Sequence, residues 1–210
     1  EVVDSKKLHK YDGAIYSRRS MNISGAGSLD VLAENEGIGS EMHLTINGGD
    51  IDIKSGNDGV NASEDNISVF TMNDGMLNIQ VTGETGEGEG IDSNGWLVIN
   101  GGEVRAFANT TSKDPGIDAD HGVFINGGFV VASGNKSEEF LGGEQKTLSF
   151  ASEIKLEAGK KYKIKDAEEN EILEVSLKNG FTMLIVSTEE IVDGNTYTLW
   201  LDNAQLAEAM

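Results

Sequence analysis

Carboxylates crowd one short stretch of the chain: in "GETGEGEGID", residues 83–92, Glu84, Glu87, Glu89 and Asp92 alternate with glycines. Side chains of this kind, gathered in space, hold hard cations through oxygen or serve as acid and base on a glycosidic bond. Related positions recur. Asp12, Glu36, Asp58 and Glu89 each stand directly before a glycine, and Asn61, Asp92 and Asp118 follow three residues beyond that column. If these segments stack at the strand spacing of about 4.8 Å, neighbouring carboxylates repel by roughly 1 kcal/mol even in water. A cation that accepts carboxylate and carbonyl oxygens offsets this, so calcium is expected at this edge, with Asp12, Glu36, Asp58, Glu89, Asp92 and Asp118 as its candidate ligands. The alternative is a solvated acidic rim that keeps edges from pairing with other chains.

A second chemistry is carried by aromatic residues. Trp96 precedes an inner Leu97, so it points outward, as do Val98 and Phe124, and His43 and Thr45 continue the same face. Flat rings on such a face suit the C–H side of a sugar ring, and Trp96, Phe124, His43 and Thr45 are the candidate carbohydrate-binding residues. Phe129 and Val131 form another outward pair, read either as sugar contacts or as contacts for self-association. Enzymatic alternatives stay open but unspecific. A lyase needs a base beside a cation, and the only arginines are Arg18, Arg19 and Arg105, the last placed to pair with Glu103. The acid columns offer many carboxylate pairs for hydrolysis and single out none. His9, His43 and His121 lack metal-ligand spacing.

These residues are positioned by a repeat. Five segments begin at Gly13, Gly37, Gly59, Gly90 and Gly116, at intervals of 22 to 31 residues. Aligned, they give apolar columns such as Ile15, Ile38, Val60, Ile91, Ile117 and Ile23, Ile46, Met72, Ile99, Ile125. Apolar residues two apart mark strands, and the "NGG" units mark turns. One coil is thus expected to hold a short strand, a turn and a second strand, and stacked coils bury a core that no coil forms alone. Asn47, Asn73, Asn100 and Asn126 would then stack as an amide ladder. The repeat covers 11–135. Beyond 136 it fails, and alternating strands over 136–210 read as a closing β cap of the same domain, with a separate β-sandwich module as the alternative. Residues 1–10 read as the leading segment of a trimmed chain, since it opens at Glu1 without an initiator methionine or an apolar leader.

Composition narrows the partners. The 210 residues carry 36 acids against 16 bases, a formal charge of -20, which repels nucleic acid and anionic membrane surfaces. No apolar run is long enough to span a bilayer. With no cysteine there is neither disulfide nor thiolate chemistry, which suits an exported protein. The 27 glycines and single proline, Pro115, point to an all-β chain rich in tight turns.

The sequence "AIYSRRSMNISGAGSLDV", the repeated "INGG" units and the closing "GFTMLIVSTEEIVDGNTYTLWLDN" together resemble a bacterial carbohydrate-binding parallel β-helix family, over Tyr11 to Asn203. The last copy departs from the pattern, with Pro115 where the others carry an acid and Asp114 one place earlier. The resemblance implies a right-handed, single-stranded parallel β-helix like that of pectate lyases, exported or lipid-anchored at the cell surface. It further implies calcium, and non-catalytic binding of an extended plant-type polysaccharide, cellulose or polygalacturonate-like. The alternatives are a polysaccharide lyase or hydrolase and a structural surface adhesin.

Overall fold

A computed structural model describes residues 2–3, 6–7, 12–84, 86–138 and 141–210; His9 and Tyr11 lie outside this set. Every regular element among the described residues is a β-strand, so none of them forms a helix able to cross a membrane. Ahead of the repeat, Val2–Val3 and Lys6–Lys7 pair antiparallel.

The repeat winds into about five coils of a parallel β-solenoid. Each coil contributes one strand to each of three sheets. The first sheet stacks Ile15–Ser17, Ile38–Ser40, Val60–Ala62, Ile91–Ser93 and Ile117–Ala119. The second stacks Met21–Ile23, His43–Ile46, Val69–Met72, Trp96–Ile99 and Val123–Ile125, continued by Leu141–Gly142. The third stacks Ser28–Leu32, Asp50–Ser55, Met76–Val81, Glu103–Phe107 and Phe129–Gly134. The coil therefore has three strands where two were expected. The extra strand is the acidic motif itself: an inward Ile or Val, an outward polar residue and an inward Ser or Ala, as in Ile91, Asp92, Ser93. Only small residues fit the second inward place, and Ser40, Ala62, Ser93 and Ala119 are buried there.

Register is kept from coil to coil. Leu44, Phe70, Leu97 and Val123 stand one above another, as do Ile46, Met72, Ile99 and Ile125, all fully buried. In the first coil, Ile15, Met21, Ile23 and Leu29 are only partly buried against this core. The asparagine ladder forms at the corner after the second sheet. Asn73 Nδ2 donates to Asn47 Oδ1 (2.8 Å), Asn100 to Asn73 (2.8 Å) and Asn126 to Asn100 (2.9 Å). Its ends are tied: Asn47 Nδ2 donates to Ser24 Oγ at 3.2 Å, and the Glu144 N–H donates to Asn126 Oδ1 at 3.2 Å. The turn depends on glycine most at the second place of the pair, where Gly102 has φ of 79° and Gly128 of 89°; at the first, a Cβ on Gly101 would press on the Asn73 carbonyl oxygen at 2.7 Å, so a residue there needs a small shift. The copy "NDG" shows this directly, with Asp74 filling the first place and Gly75 keeping the second at φ 94°.

The C-terminal strands continue the third sheet in the opposite sense. Phe181–Ser187 pairs antiparallel with the last coil's Phe129–Gly134 and with Thr147–Leu156. A four-stranded antiparallel sheet of Glu171–Ser176, Lys161–Lys165, Tyr197–Leu201 and Ala204–Ala209 packs against them. Between lies a second core containing Phe107, Val131, Phe150, Tyr162, Phe181 and Tyr197. The reading of Val131 as an outward contact for self-association is thereby corrected. Val131 does point away from the first core, but the C-terminal strands cover it completely, and Phe129 is packed beside them. Asn179 fastens the two parts: its buried Nδ2 donates to the carbonyls of Val81 (2.7 Å), Ala108 (2.7 Å) and Phe107 (3.3 Å).

Candidate functional site

The acid columns line a cleft of about 690 Å³ beside the first sheet. Asp12, Glu36, Asp58 and Glu89 stand along it, with Asn61 and Asp92 from the first sheet and Asn57, Glu87 and Asp114 from the loops that precede it. Stacking is maintained by Gly37 N–H donating to Asp58 O (2.9 Å) and Gly59 N–H to Glu89 O (3.1 Å). The glycine after each acid is required by this close approach. A Cβ on Gly37 would meet the Gly59 carbonyl oxygen at 2.5 Å, and one on Gly59 would meet that of Gly90 at 2.6 Å. Asp118 lies above Asp92 on the first sheet and repels it, but it does not line the cleft.

Three of the carboxyls are enclosed, Glu36, Asp58 and Glu89 being 9%, 6% and 8% exposed, whereas Asp12 and Glu87 are exposed at the margin of the cleft. Asn61 Nδ2 donates to Glu36 Oε1 (3.1 Å) and Asp58 Oδ2 (3.3 Å), the Glu89 N–H to Asp58 Oδ1 (3.0 Å), and the Gly88 N–H to Glu89 Oε2 (3.1 Å). Burial pushes the Glu36 carboxyl up to about 7, against the Asn61 hydrogen bond and helped by the charge of Asp12. Burial likewise raises the neighbouring Asp58 and Glu89. Glu89 rises further because it shares a hydrogen bond with Asp58 and feels the charges of Asp58 and Asp114. Asp92 is raised well above the usual range by desolvation, then by the charges of Glu89 and Asp118. The donors are all oxygen, as a hard cation requires, and the Asn61 Oδ1 is buried without a hydrogen-bond partner. Against that, among the described residues no three acidic or histidine side chains are gathered as a closed ligand set.

The aromatic face lies on the outside of the second sheet. Two columns run along it: His43, Val69 and Trp96, and beside them Thr45, Thr71, Val98 and Phe124. His43 and Thr45 are half-buried, while Trp96 and Phe124 are 36% and 38% exposed. Glycines stand in the coil above both rings. Gly122 precedes Val123 as Trp96 precedes Leu97, and Gly142 pairs with Phe124. The Trp96 ring lies 4.8 Å from the His121 ring, tilted by 44°. His121 Nε2 in turn meets Asn66 Oδ1 at 2.8 Å. Asn66 sits on the corner loop 63–68, with φ of 61° and its N–H donating to Asn94 O at 2.8 Å. Asn94 Nδ2 donates to Asp65 Oδ1 at 2.7 Å.

A family model described as "Carbohydrate-binding domain-containing protein" matches residues 1–206. The chain belongs to this family. No curated protein and no solved structure gave a match.

For a carbohydrate-binding domain, the exposed rings of the second sheet are the feature of interest, and sequence reasoning found Trp96, Phe124, His43 and Thr45 there. The contacts of Asp65, Asn66 and Asn94 are not read from the sequence, and His121 is noted there only as lacking metal-ligand spacing. The available signal was loop length: this corner has six residues, 63–68, in the third coil but only Glu41 and Met42 below it and Asn94 and Gly95 above it. Arg105 is placed as expected, its Nε 2.5 Å from Glu103 Oε1 and its guanidinium 5.0 Å from the Phe129 ring centre, on a different sheet from the acids. Arg18 reaches Glu41 at 3.9 Å.

Proposed function

We propose that this protein is a non-catalytic, extracellular carbohydrate-binding domain that grips an extended polysaccharide on the outer face of its second sheet. One observation carries the reading: the two aromatic rings among the exposed large apolar side chains of the described residues, Trp96 and Phe124, lie on the same sheet in neighbouring coils. Rings so placed meet successive sugars of one chain, while Thr45 and His43 lower on the face supply polar contacts. The family match supports carbohydrate as the ligand, and the cysteine-free composition is compatible with an exported protein. The test is calorimetric titration with cello-oligosaccharides and with oligogalacturonates. Trp96→Ala and Phe124→Ala are each expected to weaken binding by at least about tenfold, as for anchor residues. Folded variants that bind as well as the parent protein would remove the binding surface from this face.

Calcium in the acidic cleft is the second part of the proposal. Glu36, Asp58, Glu89, Asp92 and the free Asn61 Oδ1 would hold it, and its charge would offset the repulsion between stacked carboxyls. Metal-stripped protein is expected to melt at higher temperature with calcium than with magnesium, by linkage of binding to folding. Equal melting temperatures with and without calcium would leave the cleft to protons alone.

A further inference from the structure

We infer that Asn66 and His121 act together as a brace that fixes the Trp96 ring in place, and that the platform so made takes a neutral pyranose ring. This inference rests on the binding face proposed above.

The brace is assembled from three coils. Loop 63–68 leaves the third coil and folds upward, its Asn66 N–H bonded to Asn94 O in the fourth coil. From there Asn66 Oδ1 reaches His121 Nε2 in the fifth, and the imidazole lies against the indole. An exposed tryptophan beside two glycines would otherwise be free to change rotamer, and ordering it on binding would weaken affinity. The loop is shaped for this contact. Asn66 adopts the left-handed conformation, which asparagine tolerates better than most residues, and holds it at the point where its side chain meets His121.

The sugar class follows from the charge at the corner that carries the brace. The polar groups tied to the brace are Asp65, Asn66, Asn94 and His121, with an acid and no arginine or lysine among them. Asp65 is exposed, already accepts from Asn94 Nδ2, and keeps oxygen lone pairs free for a sugar hydroxyl. A uronate carboxylate brought to this corner would be opposed by Asp65 and by the chain's formal charge of -20, whereas a neutral hexose would not be, and one whose hydroxyl reached Asp65 would gain a charge-assisted hydrogen bond.

The brace is tested in protein carrying Trp200→Phe, so that Trp96 is the only indole. Asn66→Gly removes the side chain while keeping the backbone conformation unstrained. His121→Ala removes the other half, and Asn66→Asp keeps the acceptor. The first two are expected to lower the fluorescence anisotropy of Trp96 and increase its quenching by acrylamide, with melting temperature unchanged, and Asn66→Asp to restore both signals. An indole as immobile in Asn66→Gly and His121→Ala as in the parent overturns the brace, whether or not a glycan binds. In calorimetry with cellohexaose, each loss is expected to weaken binding roughly three- to tenfold, and the double variant no further than either alone. If Trp96→Ala abolishes binding but the brace variants bind as tightly as the parent, the inference fails and the binding face stands. If Trp96→Ala has no effect, the face itself fails. Tighter binding of oligogalacturonate than of cellohexaose in calcium-free buffer would overturn the neutral-sugar assignment.

Discussion

Glu89 is the residue on which burial, a shared hydrogen bond and like charge act most strongly in the same direction. In the folded chain Glu36 keeps its proton to about pH 7, against an ordinary value of 4.5, and the Asp58–Glu89 pair is raised as well. Over that window the folded state holds more protons than the unfolded one, so stability falls as pH rises. The contribution is fully present below the ordinary carboxyl range and is lost through about pH 7 for Glu36 and beyond it for the pair. Metal-free protein is therefore expected to melt at lower temperature at pH 8 than at pH 5, as thermal unfolding would show. Asp58→Asn keeps an oxygen for the Glu89 N–H and removes one charge. It is expected to raise metal-free stability at pH 8 and to abolish any response to calcium. The acids themselves were legible as columns of "DG" and "EG". Their enclosure was not, because spacing does not give depth: Glu36, Asp58 and Glu89 are buried, while Asp12 and Glu87 on the same cleft are exposed. The Asn66–His121 contact was hidden for a similar reason: 55 residues separate its partners, and only an unusually long corner marks its origin.

Among the elements, the corner after the second sheet was read most fully in advance, ladder included. "NGG" names both the side chain that stacks and the glycine that turns, so a single motif carries the whole device. Asn100→Ala breaks the bonds to Asn73 and Asn126 at an exposed site and is expected to cost about 1 kcal/mol. Gly102→Ala should cost more, about 2 kcal/mol or above, because φ is 79° and a Cβ would lie 2.6 Å from the Gly75 carbonyl oxygen. Urea unfolding of the two variants checks the order. By contrast, the first sheet has an apolar column legible in the sequence, Ile15, Ile38, Val60, Ile91 and Ile117, but no strand is expected there. Three residues with one large apolar member, as in Ile91, Asp92, Ser93, are too few for an alternation to declare itself. Their strand character comes from the coils above and below.

At the scale of the whole molecule, each coil leans on its neighbours and the last one leans on the C-terminal strands. Phe107 and Val131 belong to the second core although the solenoid strands carry them. Removing residues 136–210 would bare those side chains and the unpaired edge of Phe129–Gly134, and the remaining coils are expected to aggregate in size-exclusion chromatography. Asn179→Ala tests the joint more gently. It leaves the carbonyls of Val81, Phe107 and Ala108 without their buried donor, with an expected loss of about 2 to 3 kcal/mol. The asparagine ladder has a further consequence, because it has a direction. Every amide donates toward the first coil and accepts from the side of the last, so its lower end needs an acceptor, which is Ser24, and its upper end a donor, which is the Glu144 N–H. An inserted coil bearing "NGG" would satisfy both neighbours wherever it entered, whereas the two ends are not interchangeable. Length is thus free to vary by whole coils, about 4.8 Å at a time, and a longer descendant would offer a longer outer face on each sheet without a new fold.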